Sequence, residues 1–188
     1  MTIALRSLTL VASLVFGGVA WGQASMAVSD VVSALRAGGH VIVFRHGATH
    51  PDQADTDSLN PDNIAKQQHL NDTGRADAKA VGGAFKTAGV PIGGKDPVAT
   101  NDVTEGGLVV SPNENNRRAQ ALRAMVATVP DPGTNTLIVT HKPNILDAFG
   151  RNWFDVKEGE ASIFKPDGKG EYVLIARVQI GQWAAANR

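Results

Sequence analysis

The sequence predicts an α/β fold: a three-layer sandwich in which helices flank a mostly parallel central sheet, with a hairpin at the C-terminus. Two short apolar runs, residues 40–44 and 136–140, have the β-branched composition of strands buried on both faces. Segments with helical spacing precede, separate and follow these runs, an alternation typical of parallel sheets covered by helices. Residues 161–164 and 172–180 flank the turn Lys165-Pro166-Asp167-Gly168 and predict the hairpin.

The predicted helices have recognisable starts. Ser29 is the predicted N-cap of a helix over residues 30–36. The sequence LNDTGR, residues 70–75, opens a second helix that ends near Gly89 and carries a face of small residues suited to close packing. Residues 111–114 (SPNE) form a capping box with proline at the first helical position, which predicts a third helix to about residue 129. Pro143 lies at the start of a fourth, short helix.

Composition limits the class of protein. The 188 residues include 18 basic and 18 acidic side chains, so the formal net charge is zero. A neutral chain has no general electrostatic attraction for nucleic acid, which we therefore do not expect as a partner. The absence of cysteine excludes disulfides, thiolate metal sites and a thiol nucleophile. The length is that of a single domain.

The N-terminal residues differ from the rest of the chain. Arg6 precedes the apolar run of residues 8–16, and small residues follow as far as Ala24. A basic start, a short apolar segment and small residues at the end are typical of a secretory signal peptide. The run is shorter than the roughly 20 residues of a membrane span. We expect a signal peptide over residues 1–24, a single domain over residues 25–188, a periplasmic or secreted protein, and no stable membrane insertion after cleavage.

Two histidines follow the two predicted central strands. His46 comes directly after Arg45 at the end of the first strand, and His141 follows the second. Ligands of open α/β sheets bind beyond the carboxyl ends of the strands, so both imidazoles are expected at one pocket. There His46 is a candidate nucleophile and a protonated His141 a candidate donor to a phosphoryl oxygen.

The neighbours of these histidines suit an anion. The planar guanidinium of Arg45 matches phosphate oxygens. Gly47 permits close approach of the backbone to a ligand and an unusual backbone dihedral. Lys142, at the opening of the fourth helix, adds a positive charge. Thr49 is a further candidate phosphate contact, although such a residue more often caps a turn.

Arg45-His46-Gly47 at a strand end, the segment LNDTGRADA (residues 70–78) opening a helix, and Thr140-His141 after a second strand together resemble the histidine phosphatase (phosphoglycerate mutase-like) superfamily. The segment Glu158-Gly159-Glu160 before the hairpin resembles the small exported bacterial members. The resemblance implies a phosphohistidine intermediate on His46, with Arg45 and His141 in the phosphate pocket. It implies no metal and no cofactor, and a small phosphorylated substrate.

The chain departs from the family at the second phosphate-binding arginine, which normally occurs in a Ser-Pro-x-x-Arg-Ala motif. Here Arg117 and Arg118 come two or three residues late, so either one of them replaces this arginine or a deletion has removed it together with one strand of the sheet. A deletion would reduce activity. From the resemblance we expect a metal-independent phosphomonoesterase. The departure at the second arginine leaves an alternative, a phosphate- or phosphosugar-binding protein that has lost turnover.

The general acid is the least determined role. It must be a carboxyl group within reach of the leaving oxygen. Glu105, in a loop between the two histidines, is the first candidate, and the alternatives are Asp52, Asp55 and Glu160. His46 and His50 are four residues apart, a spacing that binds zinc on a helix, but Gly47 and Pro51 disfavour a helix there.

Overall fold

In the computed structural model, the described residues include four strands, which form one mixed sheet in the order β2-β1-β3-β4. The structure describes residues 26–185 except 55, 58–59, 61–62, 95 and 105–110. The predicted signal peptide, Glu105 and Asp55 therefore lie outside the described residues. The strands are β1 (Val41–Arg45), β2 (Thr136–Thr140), β3 (Ala161–Pro166) and β4 (Tyr172–Val178).

The prediction of a mostly parallel sheet is wrong. Of the four described strands, only β1 and β2 pair in parallel, whereas β3 pairs antiparallel with β1 and with β4. The predicted hairpin is present, but it lies directly against β1 and thereby adds two antiparallel strands to a sheet with a single parallel pair. The apolar composition of β1 reports burial on both faces, which does not depend on the direction of the neighbouring strands.

In the described part of the chain, five helices accompany the sheet: α1 (Val28–Arg36), α2 (Asp72–Ala88), α3 (Pro112–Ala127), α4 (Lys142–Phe149) and α5 (Gln182–Ala185). Short 3₁₀ turns occur at Ile64–Lys66, Asn101–Val103 and Arg151–Trp153. Among the described residues, no helix is both long enough and apolar enough to cross a membrane.

The three predicted layers are present because β1 alternates its side chains between two cores. Ile42 and Phe44 join the apolar residues of α1, α2 and α5 on one face of the sheet. Val41 and Val43 join those of α3 and α4 on the other face. This double burial explains why the strand is apolar at every position up to Arg45.

The starts of the first three helices follow the predicted starts with one exception. The Asn71 side chain accepts a hydrogen bond from the Gly74 amide at the start of α2, and Gly89 ends this helix at φ +67°. Ser111 accepts from the Glu114 amide at the start of α3, which has proline in its first turn. The exception is α1, which begins at Val28 after Ala27, so Ser29 lies within the helix and is not its cap.

Of the four small residues predicted to pack α2 against the protein, only Ala84 does so, half-buried against the core. Ala76, Ala80 and Gly83 are exposed, and the helix is buried through Val81, Phe85 and Ala88 together with Gly74 in its first turn. The large apolar side chains lie on the face toward the sheet because their burial contributes more free energy than burial of alanine or glycine.

Candidate active site

The parallel pairing of β1 with β2 brings His46 and His141 together. Arg45 is the register partner of Thr140, so the residues that follow each strand leave the sheet side by side. The His46 amide donates to the Thr140 carbonyl at 2.9 Å. The two imidazole rings are 5.0 Å apart between centroids and inclined at 59°. A group the size of a phosphate can therefore contact both rings at this edge of the sheet.

The His46 ring is held in one tautomer. Its Nδ1 lies 2.8 Å from the Gly47 carbonyl oxygen, and a carbonyl can only accept, so Nδ1 carries the proton. In the neutral ring the lone pair is then on Nε2. Burial lowers the pKa of His46 below its usual 6.5, and the charges of His141 and Arg45 act in the same direction, against the Gly47 hydrogen bond and the Glu158 carboxylate. The site favours the neutral, nucleophilic form.

Two nitrogens of the Arg45 guanidinium already donate hydrogen bonds to other residues of the protein. One terminal nitrogen donates to the Val156 carbonyl at 2.9 Å, and the other donates to Glu158 Oε1 at 3.2 Å. The guanidinium is thus oriented by the chain, and its buried Nε is left without an acceptor among the described residues.

Glu158 is a site residue that the sequence analysis did not assign. Its carboxylate pairs with Arg45 and acts on the pKa of His46. The turn before β3 brings it there, because the Gly159 amide lies 3.1 Å from the carbonyl oxygens of both Arg45 and His46. Gly159 has φ +68°, a conformation that favours glycine. The only signal in the sequence was the position of this glycine between two glutamates, and it does not indicate that the turn packs on β1.

Glu160, an alternative general acid, is bound within the same turn. Its side chain is fully buried, and its carboxylate accepts from Arg177, Gln179 and the Lys157 amide at 3.1 Å. With both oxygens engaged and no exposure, this carboxylate stabilises the turn that positions Glu158.

The loop of residues 47–49 is clamped to the start of α2. The Asn71 amide donates to the Ala48 carbonyl at 3.0 Å, and the Asn71 side chain donates to the Thr49 carbonyl at 2.9 Å. A Cβ on Gly74 would lie 2.2 Å from the Ala48 carbonyl oxygen, so only glycine permits this contact. The segment LNDTG is therefore a structural element that holds the backbone after His46.

Gly47 is explained by the same contact. The expected unusual dihedral is absent, because Gly47 is not among the glycines with positive φ. Instead, a Cβ at this position would lie 3.2 Å from both Cα and O of Gly74. Thr49 is half-buried beside this contact and forms an isolated antiparallel β-bridge with Leu70. Its hydroxyl has no hydrogen-bond partner among the described residues.

Lys142 lies at the first position of α4, directly after His141. Its ammonium is 5.0 Å from the centroid of the Phe154 ring, and Phe154 is 70% exposed. The positive charge is therefore at the rim of the site, over an exposed aromatic ring. Such an exposed cation–π contact is weak, at about 0.5–1 kcal/mol, and leaves the side chain able to turn toward an anion.

Glu105 lies outside the described residues, but the chain just before it is attached to the strand end that carries His141. The Thr140 hydroxyl donates to the Val103 carbonyl at 2.8 Å, and the Asn144 side chain donates to the Thr104 carbonyl at 3.0 Å. The segment that ends at Thr104 is therefore held at the C-terminal end of β2. Asp52, the other described alternative, is exposed in the loop after β1.

The two arginines of α3 have different environments. Arg117 is 46% exposed and forms surface ion pairs with Glu114 at 2.7 Å and with Asp102. Arg118 is only 12% exposed, and its Nε lies 3.5 Å from Glu114. Of the two candidates for the second phosphate-binding arginine, Arg118 is thus directed inward and Arg117 serves the surface.

The two histidines with a zinc-like spacing, His46 and His50, both follow β1 in the chain. Residues 46–50 are not helical, so His46 and His50 do not share a helix face. In the part of the chain that the structure describes, no three histidine, aspartate or glutamate side chains are grouped as metal ligands.

A cavity of about 310 Å³ opens beside His46. It extends from Arg45, His46 and Gly47 along the space between α2 and β2. Its walls include Val81 and Phe85 of the helix and Leu137 and Val139 of the strand.

No protein-family model matches the chain, and no curated protein matches it. Among solved structures, it is similar to the protein histidine phosphatase SixA complexed with tungstate. The TM-score is 0.51 and the sequence identity 15%, and the match covers 76% of this chain and 97% of the SixA chain. At this identity the likeness concerns the fold and does not bear on the exported bacterial branch. The chain thus shares the fold of a histidine phosphatase.

Proposed function

We propose that the protein is a metal-independent phosphomonoesterase that forms a phosphohistidine on His46. The observation that carries the proposal is the pair of imidazoles 5.0 Å apart at the sheet edge, with Nδ1 of His46 bound to a carbonyl and its Nε2 left as the nucleophile. The lowered pKa of His46 supports it, since only the neutral ring attacks phosphorus. The fold likeness to a histidine phosphatase that holds tungstate is consistent with a phosphorylated substrate.

In the proposed first step, Nε2 of His46 attacks phosphorus, the P–N bond forms and the P–O bond of the ester breaks. Arg45 and His141 donate to the phosphoryl oxygens as charge develops on them. The leaving oxygen takes a proton from a carboxyl group, for which Glu105 is the candidate. Water then attacks phosphorus, the carboxylate accepts its proton, and inorganic phosphate leaves the neutral His46. Lys142 and Thr49 are proposed as further phosphate contacts.

A phosphate-binding protein without turnover is the second candidate. It is favoured by the two nitrogens of Arg45 that already donate to Val156 and Glu158. A guanidinium bound in this way can still hold an anion through its remaining donors, while contributing less to the transition state.

Hydrolysis of p-nitrophenyl phosphate by wild type, His46→Ala and His69→Ala distinguishes the two candidates. His69 is a loop histidine whose Nε2 lies 3.0 Å from the Ile64 carbonyl oxygen, so its variant controls for the loss of an imidazole elsewhere. The enzyme proposal requires that only His46→Ala loses turnover and that an acid-labile phosphoenzyme forms in wild type. Equal background rates in all three proteins, with phosphate binding retained, would establish the second candidate instead.

We further propose export, on the basis of the signal-like residues 1–24. Expression in a Gram-negative host followed by fractionation tests this directly. The mass of the periplasmic or secreted protein should correspond to a chain that begins near residue 25, and retention of the full-length chain in the cytoplasm would contradict the proposal.

A further inference from the structure

The cavity beside His46 is polar at one end only. Of the described residues that line it, Arg45 and His46 alone have polar side chains. The other lining residues are glycine, alanine, aliphatic or aromatic residues. They include Leu70 and Ile180 in addition to the residues of α2 and β2. The candidate nucleophile thus lies at the mouth of an apolar space.

The cavity exists because small residues face it from α2. Ala78 and Gly82 are four residues apart, so they lie on one face of the helix, and their small size leaves room opposite β2. On the strand, Leu137 and Val139 point to this side and remain 37% and 50% exposed, although their register partners Ile42 and Phe44 are buried. Two large apolar side chains of β2 thus remain partly exposed to solvent near the end of the cavity that carries His46.

We propose that this cavity binds the leaving group of the substrate and that the substrate is a phosphomonoester of an alkyl or aryl alcohol. The proposal rests on the proposed function of His46. A sugar or polyol phosphate would bury hydroxyl groups against walls that offer them no hydrogen-bond partner, which is unfavourable. An alkyl or aryl group removes its own apolar surface and that of Leu137 and Val139 from water. The volume of about 310 Å³ is at the lower end for ligand pockets and suits a group the size of a phenyl ring or a short chain.

The test compares three phosphate esters: ethyl phosphate, hexyl phosphate and glucose 6-phosphate. Each methylene transferred from water into an apolar site raises affinity about fourfold. The kcat/KM for hexyl phosphate is therefore expected to exceed that for ethyl phosphate by at least about tenfold. Glucose 6-phosphate has the same number of carbons as hexyl phosphate but carries hydroxyls, and its kcat/KM should be no higher than that of ethyl phosphate.

Two glycine substitutions on α2 test the location. Gly82→Leu places a side chain in the cavity, whereas Gly83→Leu places the same side chain on the exposed surface beside it. A Cβ at either position meets no atom within 4 Å, and leucine is a better helix former than glycine, so both variants should fold. Gly82→Leu should lower the hexyl-to-ethyl ratio of kcat/KM to near one, and Gly83→Leu should keep the wild-type ratio.

The outcomes separate this proposal from the function on which it rests. If wild type hydrolyses the esters and His46→Ala does not, but hexyl and ethyl phosphate have equal kcat/KM, the assigned leaving-group site is wrong and the phosphatase stands. If His46→Ala matches wild type on every ester, the proposed function fails first. A melting temperature of Gly82→Leu several degrees below that of Gly83→Leu would show that the chain itself fills the cavity, and would also overturn the proposal.

Discussion

The clamp between Gly74 and the loop after His46 leads to the most specific prediction. In Gly74→Ala the new Cβ would lie 2.2 Å from the Ala48 carbonyl oxygen, 2.9 Å from its nitrogen and 3.1 Å from its carbonyl carbon. All three are backbone atoms, so no side chain can rotate away. Even close C–H···O contacts in proteins lie at about 3.3 Å, so the loop and the helix must separate by about 1 Å.

This displacement determines the size of the effect. Overpacking of this kind costs about 1–3 kcal/mol, and the hydrogen bonds from Asn71 to Ala48 and Thr49 would weaken by up to about 1 kcal/mol each. The expected loss is about 2–4 kcal/mol in the free energy of unfolding. Because the same loop carries Gly47, whose carbonyl orients the His46 ring, a shift of about 1 Å should lower kcat/KM by about 100-fold.

Urea unfolding followed by circular dichroism, together with p-nitrophenyl phosphate hydrolysis, measures both effects. The matched control is Gly83→Ala on the same helix, where a Cβ meets no atom within 4 Å. It should raise the free energy of unfolding by about 0.5–1 kcal/mol, since alanine favours the helix. A Gly74→Ala protein as stable as this control, with wild-type kcat/KM, would refute the assignment of LNDTG as a clamp.

Three further predictions concern charge and buried polar groups. Glu158→Gln removes a carboxylate that raises the pKa of His46, so His46 should titrate at lower pH by NMR, and Glu171→Gln should not move it. Asn135→Ala leaves buried backbone groups, among them the His40 amide, without their partner, and should cost about 2–4 kcal/mol in urea unfolding; a loss below about 0.5 kcal/mol would contradict this role. Burial lowers the pKa of both His40 and His46 below 6.5, so the unfolded chain binds their protons more readily and the free energy of unfolding should fall as the pH drops below 6.5. Thermal melts from neutral pH to about pH 5 measure this, and a melting temperature that rises toward acid would contradict it.

Local patterns in the sequence were sufficient for the elements whose cause is local. The starts of α2 and α3 follow from Asn71 and Ser111, whose side chains accept from amides three residues on, and the end of α2 follows from Gly89. The two strand-end histidines could be placed at one edge because parallel neighbours end on the same side of a sheet. These inferences need only spacing along the chain and the burial pattern of single strands.

Contacts between segments that are distant in the sequence could not be predicted from local patterns. The turn of residues 157–160 packs on β1, and this places Glu158 on Arg45 and makes the hairpin the antiparallel neighbour of β1. The contact of Gly47 with Gly74 likewise joins two distant segments, although the sequence had suggested for Gly47 only close approach to a ligand and an unusual dihedral. Arg117 and Arg118 are adjacent in sequence, and only the position of α3 distinguishes the exposed side chain from the inward one.

The sequence by itself determined four of the five described helices, the four described strands and the two histidines at the strand ends, because hydrophobic periodicity and capping act within a few residues. The tertiary structure decided which strands are antiparallel, which carboxylate accompanies Arg45, and that an apolar cavity lies beside His46. These features depend on which surfaces meet when the chain folds, and burial can be satisfied by more than one arrangement of neighbours. The residues of the candidate site can therefore be identified singly in the sequence, whereas the cavity beside them exists only when distant segments pack together.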